Sequence, residues 1–224
     1  MANIDAVYDL LDASYHPNIE FIESKSTYEH LIAVILSAQT TDRQVNQVLP
    51  KLFAKFPEPG DLAAADRSEV ERIIHSVGFY RVKAKNIIAA ARAVHERFHG
   101  QVPCDLDELL TIPGVGRKSA HVIRGAQFGL PAVIVDTHFS RVVRRLGLAE
   151  SADPEKIEYA IAGQLDERRQ YRFSMTVNLH GRDVCHARKP RCAACVLLGV
   201  CPRIGLPDAL DDLPSKRKAA PPGA

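Results

Sequence analysis

Four cysteines crowd the C-terminal quarter of the chain, Cys185, Cys192, Cys195 and Cys201, spaced Cys-x6-Cys-x2-Cys-x5-Cys. The start Met1-Ala2-Asn3-Ile4-Asp5 lacks the basic and then apolar run of a secretory signal. In a reducing compartment so dense a set of thiols reads first as a metal site. Four thiolates on one short loop can enclose a [4Fe–4S] cluster. Zinc is the alternative, but structural zinc more often takes two Cys-x-x-Cys pairs, and here only Cys192 and Cys195 form one. Cys104 stands apart from the set.

A second group could do covalent chemistry. Pro113-Gly114-Val115-Gly116-Arg117-Lys118-Ser119-Ala120 lies between two apolar helical stretches. Gly114 and Gly116 permit positive φ and close backbone approach. A helix starting at about Arg117 aims its free N–H groups and positive dipole end at the turn. A phosphate could therefore sit on the backbone of Gly114, Val115 and Gly116. This is the pattern of a helix-hairpin-helix, over about 107–127; an ordinary tight αα-hairpin is the alternative. Lys118 falls on the first helical turn, where a cation opposes the dipole, a local rule broken as functional sites break it. A neutral amine can attack an electrophilic carbon and form a Schiff base. A free lysine is neutral to only about one part in 2,500 at pH 7. The helix N-terminus, Arg117 and partial burial would each favour the neutral form. The plainer alternative is a solvated surface lysine. Asp136 follows the apolar run Ala132 to Val135, which could hold a carboxylate at a buried rim. It could take a proton from Lys118 or stabilise developing positive charge. It could equally cap the next helix, and the two roles are compatible.

The elements that must position these groups are helical. Apolar residues recur at helical spacing over 28–36, 45–52, 70–77, 84–98, 105–110 and 119–128, then over 138–146, 155–165 and 171–181. Gly78 is placed to end the helix at 70–77. Only 132–135 reads like a strand, too short and isolated to found a sheet, so an all-α fold is predicted. Two helical lobes are expected: a six-helix lobe over 20–130, and a discontinuous lobe of 1–19 with 131–205 that carries the cysteine loop. The polar, Pro-rich stretch 206–224 is expected to be disordered. The 46% apolar and 25% charged fractions are those of an ordinary globular protein, and no run approaches the length of a membrane span. Net charge is only +2, but basic residues gather at Arg81, Lys83, Lys85 and Arg92, at Arg141, Arg144 and Arg145, and at Arg182, Arg188, Lys189 and Arg191. That is either a nucleic-acid footprint or a set of solvated helix faces.

Taken in order, Leu-Ser-Ala-Gln-Thr-Thr-Asp at 36–42, Val-Gly-Phe-Tyr at 77–80, the hairpin at 112–120, Val-Asp-Thr-His at 135–138 and the four cysteines resemble one family. It is the endonuclease III family, within the helix-hairpin-helix, Gly/Pro-rich, Asp superfamily of DNA glycosylases, and the likeness runs from about Ser26 to Cys201. The resemblance implies a bifunctional base-excision-repair enzyme with a DNA cleft between its lobes. It would remove oxidised or ring-saturated pyrimidines and cleave abasic sites by β-elimination. It implies Lys118 as nucleophile, Asp136 as catalytic carboxylate and a [4Fe–4S] cluster on the four cysteines. A base must leave the helix to be attacked. Gln39, at a helix end, matches the family residue that fills the vacated space. Phe79 stands where relatives often carry Leu, a wedge against the opposite strand, although a buried loop aromatic is the alternative. Arg188, Lys189 and Arg191, between two cluster ligands, are expected to contact phosphates. Duplex DNA is the expected partner of a monomer in the bacterial cytosol or nucleoid. A monofunctional adenine-mismatch glycosylase is disfavoured by Lys118, and a non-catalytic DNA binder by the pair Lys118 and Asp136.

Overall fold

Polar side chains start most of the helices. Asn3, Ser26, Thr41, Asp66, Asp105, Asp136, Asp153 and Asp166 each accept a hydrogen bond from an N–H of the turn that follows. The computed structural model describes residues 1–15 and 22–206. Along it α1 spans Ile4–Asp12, α2 Thr27–Ser37, α3 Asp42–Lys55, α4 Pro59–Ala63, α5 Arg67–Ile73 and α6 Tyr80–Arg97. α7 spans Leu106–Leu110, α8 Arg117–Phe128, α9 Thr137–Arg145, α10 Pro154–Ala162 and α11 Glu167–Asp183, before a 3-10 turn at Cys192–Ala194. No strand occurs among the described residues, so the fold is all-α. The strand-like run is buried at Ala132, Val133 and Ile134, and the Ile134 N–H donates to Ser174 Oγ at 2.9 Å rather than to a neighbouring strand. None of the described helices is long and apolar enough to cross a membrane. The expected tail at 206–224 lies, apart from Leu206, outside the described residues.

The chain divides into two compact units, Ile19–Ala132 and Met1–Asn18 with Val133–Ala224. In the first, α2 is the central rod, buried from Leu31 through Leu36. It packs against α3, α6 and α8, while α4 and α5 pack on α6 and α7 packs on α8. The described residues of this unit hold seven helices, not the six expected. The extra one is α4, started by a capping box between Glu58 and Asp61 with Pro59 at its first turn. The helix expected to stop at Gly78 stops at Ile73.

In the second unit, α11 packs on α9 and α1. Phe139 and Phe173 meet edge to face at 6.0 Å, and Val7, Leu11, Ile157 and Ile161 close the core around them. Gly181 sets how closely α9 and α11 approach, because a Cβ there would lie 2.9 Å from the Cβ of His138.

Candidate functional site

Lys118 is presented by a glycine turn. Gly114 has φ +85°, and a Cβ on it would stand 3.1 Å from both Asn86 Cβ and Ile35 Cγ2, so both conformation and packing require glycine. Gly116, the N-cap of α8, has nothing within 4 Å of a hypothetical Cβ and no side chain with which to cap the helix. The first N–H groups of a helix have no intrahelical acceptor, so this end offers donors to an incoming anion. Val115 differs. Its side chain is buried in the core and its N–H donates to Ile112 O at 3.0 Å. It therefore anchors the turn from the core side, with its N–H engaged inside the turn. Lys118 is exposed. The partial burial expected from the sequence is absent.

Asp136 is the N-cap of α9, and its Oδ1 accepts from the Phe139 N–H at 2.7 Å. Its second oxygen, Oδ2, accepts from Asn178 Nδ2 of α11 at 2.5 Å. Both oxygens are thus held by donors, an arrangement that fixes the carboxylate plane.

Gln39 and Phe79 fall on touching loops. A Cβ on Gly78 would lie 3.5 Å from Gln39 O. Both residues are left-handed, with φ 53° and 58°, a conformation that costs a non-glycine residue about 1–2 kcal/mol. Both are exposed, Phe79 at 67% of its surface, so the alternative of a buried loop aromatic is excluded. The buried Lys83, on the first turn of α6 that follows Phe79, ties that helix to the segment carrying Gln39. Its Nζ donates to Leu36 O at 2.8 Å and Thr40 Oγ1 at 2.5 Å, and desolvation lowers its pKa from the ordinary lysine value. Counted by sequence among the surface bases, Lys83 in fact lies on the inner stripe of α6 with Ala84, Ile87 and Ala91. That periodicity was the available signal for its burial.

Cys185, Cys192, Cys195 and Cys201 line one cavity with Arg145 and Leu197. Burial raises the thiol of Cys195 to about 11, with a smaller contribution from the neighbouring thiolates. Cys192 and Cys201 are raised from the same first cause. Three of these half-buried thiols are thus held back from ionising, a state that a positively charged metal group would balance. No three described His, Cys, Asp or Glu side chains converge on the point a single ion would need. Two arginines shape the loop. Arg145 Nη1 donates to Cys185 Sγ at 3.2 Å and His186 O at 2.7 Å, and Arg141 donates to Cys185 O at 3.0 Å and Gly181 O at 2.8 Å. These two are therefore not part of the free basic surface counted from sequence. Arg188, Lys189 and Arg191 are exposed, although Arg191 also donates to Asp183 O.

The family described as HhH-GPD superfamily base excision DNA repair protein matches residues 32–166. Endonuclease III of Synechocystis sp. is 46% identical over 182 residues, which cover 81% of this chain and 83% of that one. Endonuclease III of Escherichia coli K12 is 38% identical over 186 residues, 83% of this chain and 88% of its own. A solved structure of a trapped endonuclease III–DNA covalent intermediate matches with a TM-score of 0.83 at 36% identity, over 89% of this chain and 94% of that chain. A thermostable thymine-DNA glycosylase, 22% identical with a TM-score of 0.79, shares the fold.

Proposed function

We propose, since this chain belongs to the HhH-GPD superfamily of base excision DNA repair proteins and within it to the endonuclease III family of DNA glycosylase/lyases, that it releases oxidised or ring-saturated pyrimidines from duplex DNA and cuts the strand at the resulting abasic site. The observation that carries this reading is the placement of Lys118 on the first turn of α8, behind a glycine turn that leaves the helix end uncovered.

In this reading the hairpin backbone holds a phosphate, and Lys118 acts as the amine nucleophile. Nζ attacks C1′ of the sugar while the bond to the base breaks, and the base leaves with a proton. Asp136, oriented by Phe139 N–H and Asn178, stabilises positive charge on the sugar and accepts the proton that Lys118 gives up. The C1′–O4′ bond then breaks, with a proton passed to O4′, and the opened sugar holds a C1′ imine that makes the C2′ proton acidic. Its loss expels the 3′ phosphate by β-elimination, and hydrolysis of the imine returns the free amine. Gln39 enters the space the flipped base leaves and Phe79 wedges against the opposite strand, roles supported by their exposure and by their left-handed backbone.

The donor set, four thiols around one cavity with a single Cys-x-x-Cys pair rather than two, favours an iron–sulfur cluster over zinc. Cys185, Cys192, Cys195 and Cys201 would hold a [4Fe–4S] group that cross-links the loop, and neither reaction step needs electrons from it. Arg188 and Lys189 are left on the outer side of that loop to meet phosphates, while Arg191 is partly engaged. The bacterial cytosol or nucleoid is where such a substrate occurs.

Borohydride reduction in the presence of abasic-site DNA tests the assignment. The wild-type chain is expected to form a covalent protein–DNA adduct and Lys118→Ala to form none, with DNA binding retained. Full trapping by Lys118→Ala would move the nucleophile elsewhere.

A further inference from the structure

The carboxylate at 136 is seated by one face of α11. Ser174, Asn178 and Gly181 are spaced by four and then three residues, so they share that face. Each meets a successive part of the segment that carries Asp136. Ser174 Oγ accepts from the Ile134 N–H at 2.9 Å. Asn178 Nδ2 donates to Asp136 Oδ2 at 2.5 Å. Gly181 lies against His138 so closely that a Cβ would meet His138 Cβ at 2.9 Å. The absent side chain at 181 is what brings Asn178, one turn earlier, within reach of the carboxylate.

The amide of Asn178 is committed to this task. Its Oδ1 is buried with no hydrogen-bond partner among the described residues. Turning the amide over would set that oxygen against the carboxylate, so Nδ2 must face Asp136. A buried amide with an idle oxygen is costly to keep, and the bond it does make goes to Asp136. The cap bond from Phe139 N–H fixes Oδ1 of Asp136 but leaves rotation of the other oxygen to be settled. Asn178 settles it. We infer that Asn178 is the positioning residue of Asp136: it aims the second carboxylate oxygen, through a side chain 42 residues away in sequence. The inference rests on the catalytic reading of Asp136 given above.

The test uses the full chain with its cluster loaded. Asn178→Leu keeps the volume and removes the donor. Asn178→Asp keeps the shape and replaces the donor with a second carboxyl group. Base release under single-turnover conditions is expected to slow by about 10- to 100-fold in both, the size of one charge-assisted hydrogen bond. The dissociation constant for the same DNA should stay within about twofold. For Asn178→Asp the acid side of the pH–rate profile should also move to higher pH, because two facing carboxyl groups share a proton. In an Asp136→Asn background, Asn178→Leu should cost nothing further. A packing role alone would leave the pH profile in place and would cost the same in either background. If Asn178→Leu fails to fold, the pH profile of Asn178→Asp decides. Wild-type rates and an unmoved profile in Asn178→Asp would overturn the proposal. Failure of the wild-type chain to form a borohydride adduct would instead overturn the catalytic reading on which it stands.

Discussion

Replacing Lys83 by Met keeps the aliphatic stem and removes the ammonium that clamps the Gln39 and Phe79 loops. Two bonds are lost, to Leu36 O and Thr40 Oγ1. Leu36 is next to last in α2, so its carbonyl has no intrahelical donor and is left unpaired in a buried place, at about 1–3 kcal/mol. Thr40 recovers part of its loss, since its hydroxyl also reaches Ala38 O at 3.4 Å. Methionine also removes the cost of burying an ammonium, and because both partners are neutral no opposing charge is stranded. The net destabilisation is therefore expected at about 1–3 kcal/mol, read by urea unfolding. Gln39 and Phe79 are left-handed at about 1–2 kcal/mol each, about 2–4 kcal/mol together, so the strain is comparable to the clamp or larger and the loops should relax without it. Base release from a duplex is expected to fall by about 5- to 150-fold, the equivalent of 1–3 kcal/mol in the barrier. The loss should be smaller for a mispaired lesion, which costs less to extrude. Cleavage of a single-stranded abasic site, which needs no wedge, should stay close to wild type. A Lys83→Met protein that is destabilised yet releases paired and mispaired bases at wild-type rates would refute the link between clamp and wedge.

Asp136→Asn keeps an N-cap of equal quality and should leave thermal stability nearly unchanged, while base release falls by about 10²–10⁴-fold in single-turnover assays. Lys189→Ala should weaken binding equally for damaged and intact DNA and flatten the log–log salt dependence by about 0.9, measured by fluorescence anisotropy across a salt series; an unchanged slope would return that loop to solvent. His30 is buried, with Ser24 Oγ 3.0 Å from its Nδ1, and desolvation lowers its pKa from 6.5 to about 4. Between these values the unfolded chain binds the extra proton, so stability is intact above pH 6.5 and about 3 kcal/mol is lost as pH falls to 4. In urea unfolding His30→Leu should lose correspondingly less between pH 7 and 4.5.

What the sequence made legible is what short spacing can encode. A turn such as Gly114 to Gly116 is written in consecutive residues, and its φ of +85° at Gly114 is what a Pro-Gly-x-Gly string prepares for. Asp136 was legible as a cap because a cap acts on an N–H only three residues ahead. The four cysteines are legible because a loop of 17 residues cannot carry them far apart. The charge pattern misled for a physical reason: a formal charge in a list has no direction. Lys83, Arg141 and Arg145 all add to a basic count, yet each turns inward to carbonyl oxygens at the end of a helix or along a loop.

Asn178 is the opposite case. Nothing within ten residues of it distinguishes an amide that aims a carboxylate from an amide that meets solvent. Its local setting offers only a weak hint, since Gln170, Ser174 and Asn178 place three polar side chains at i, i+4 and i+8 on a helix whose Phe173 and Val177 are fully buried. A polar stripe beside an apolar one on a packed helix calls for acceptors and donors on whatever lies opposite. What lies opposite is decided by how closely α9 and α11 approach, and that distance is set by Gly181, a residue whose contribution is the side chain it lacks. Substituting Gly181 by Ala should therefore act on Asp136 at second hand, by pushing His138 away and lengthening the Asn178 bond. This places the control of the carboxylate in the packing of two helices, beyond the reach of any motif.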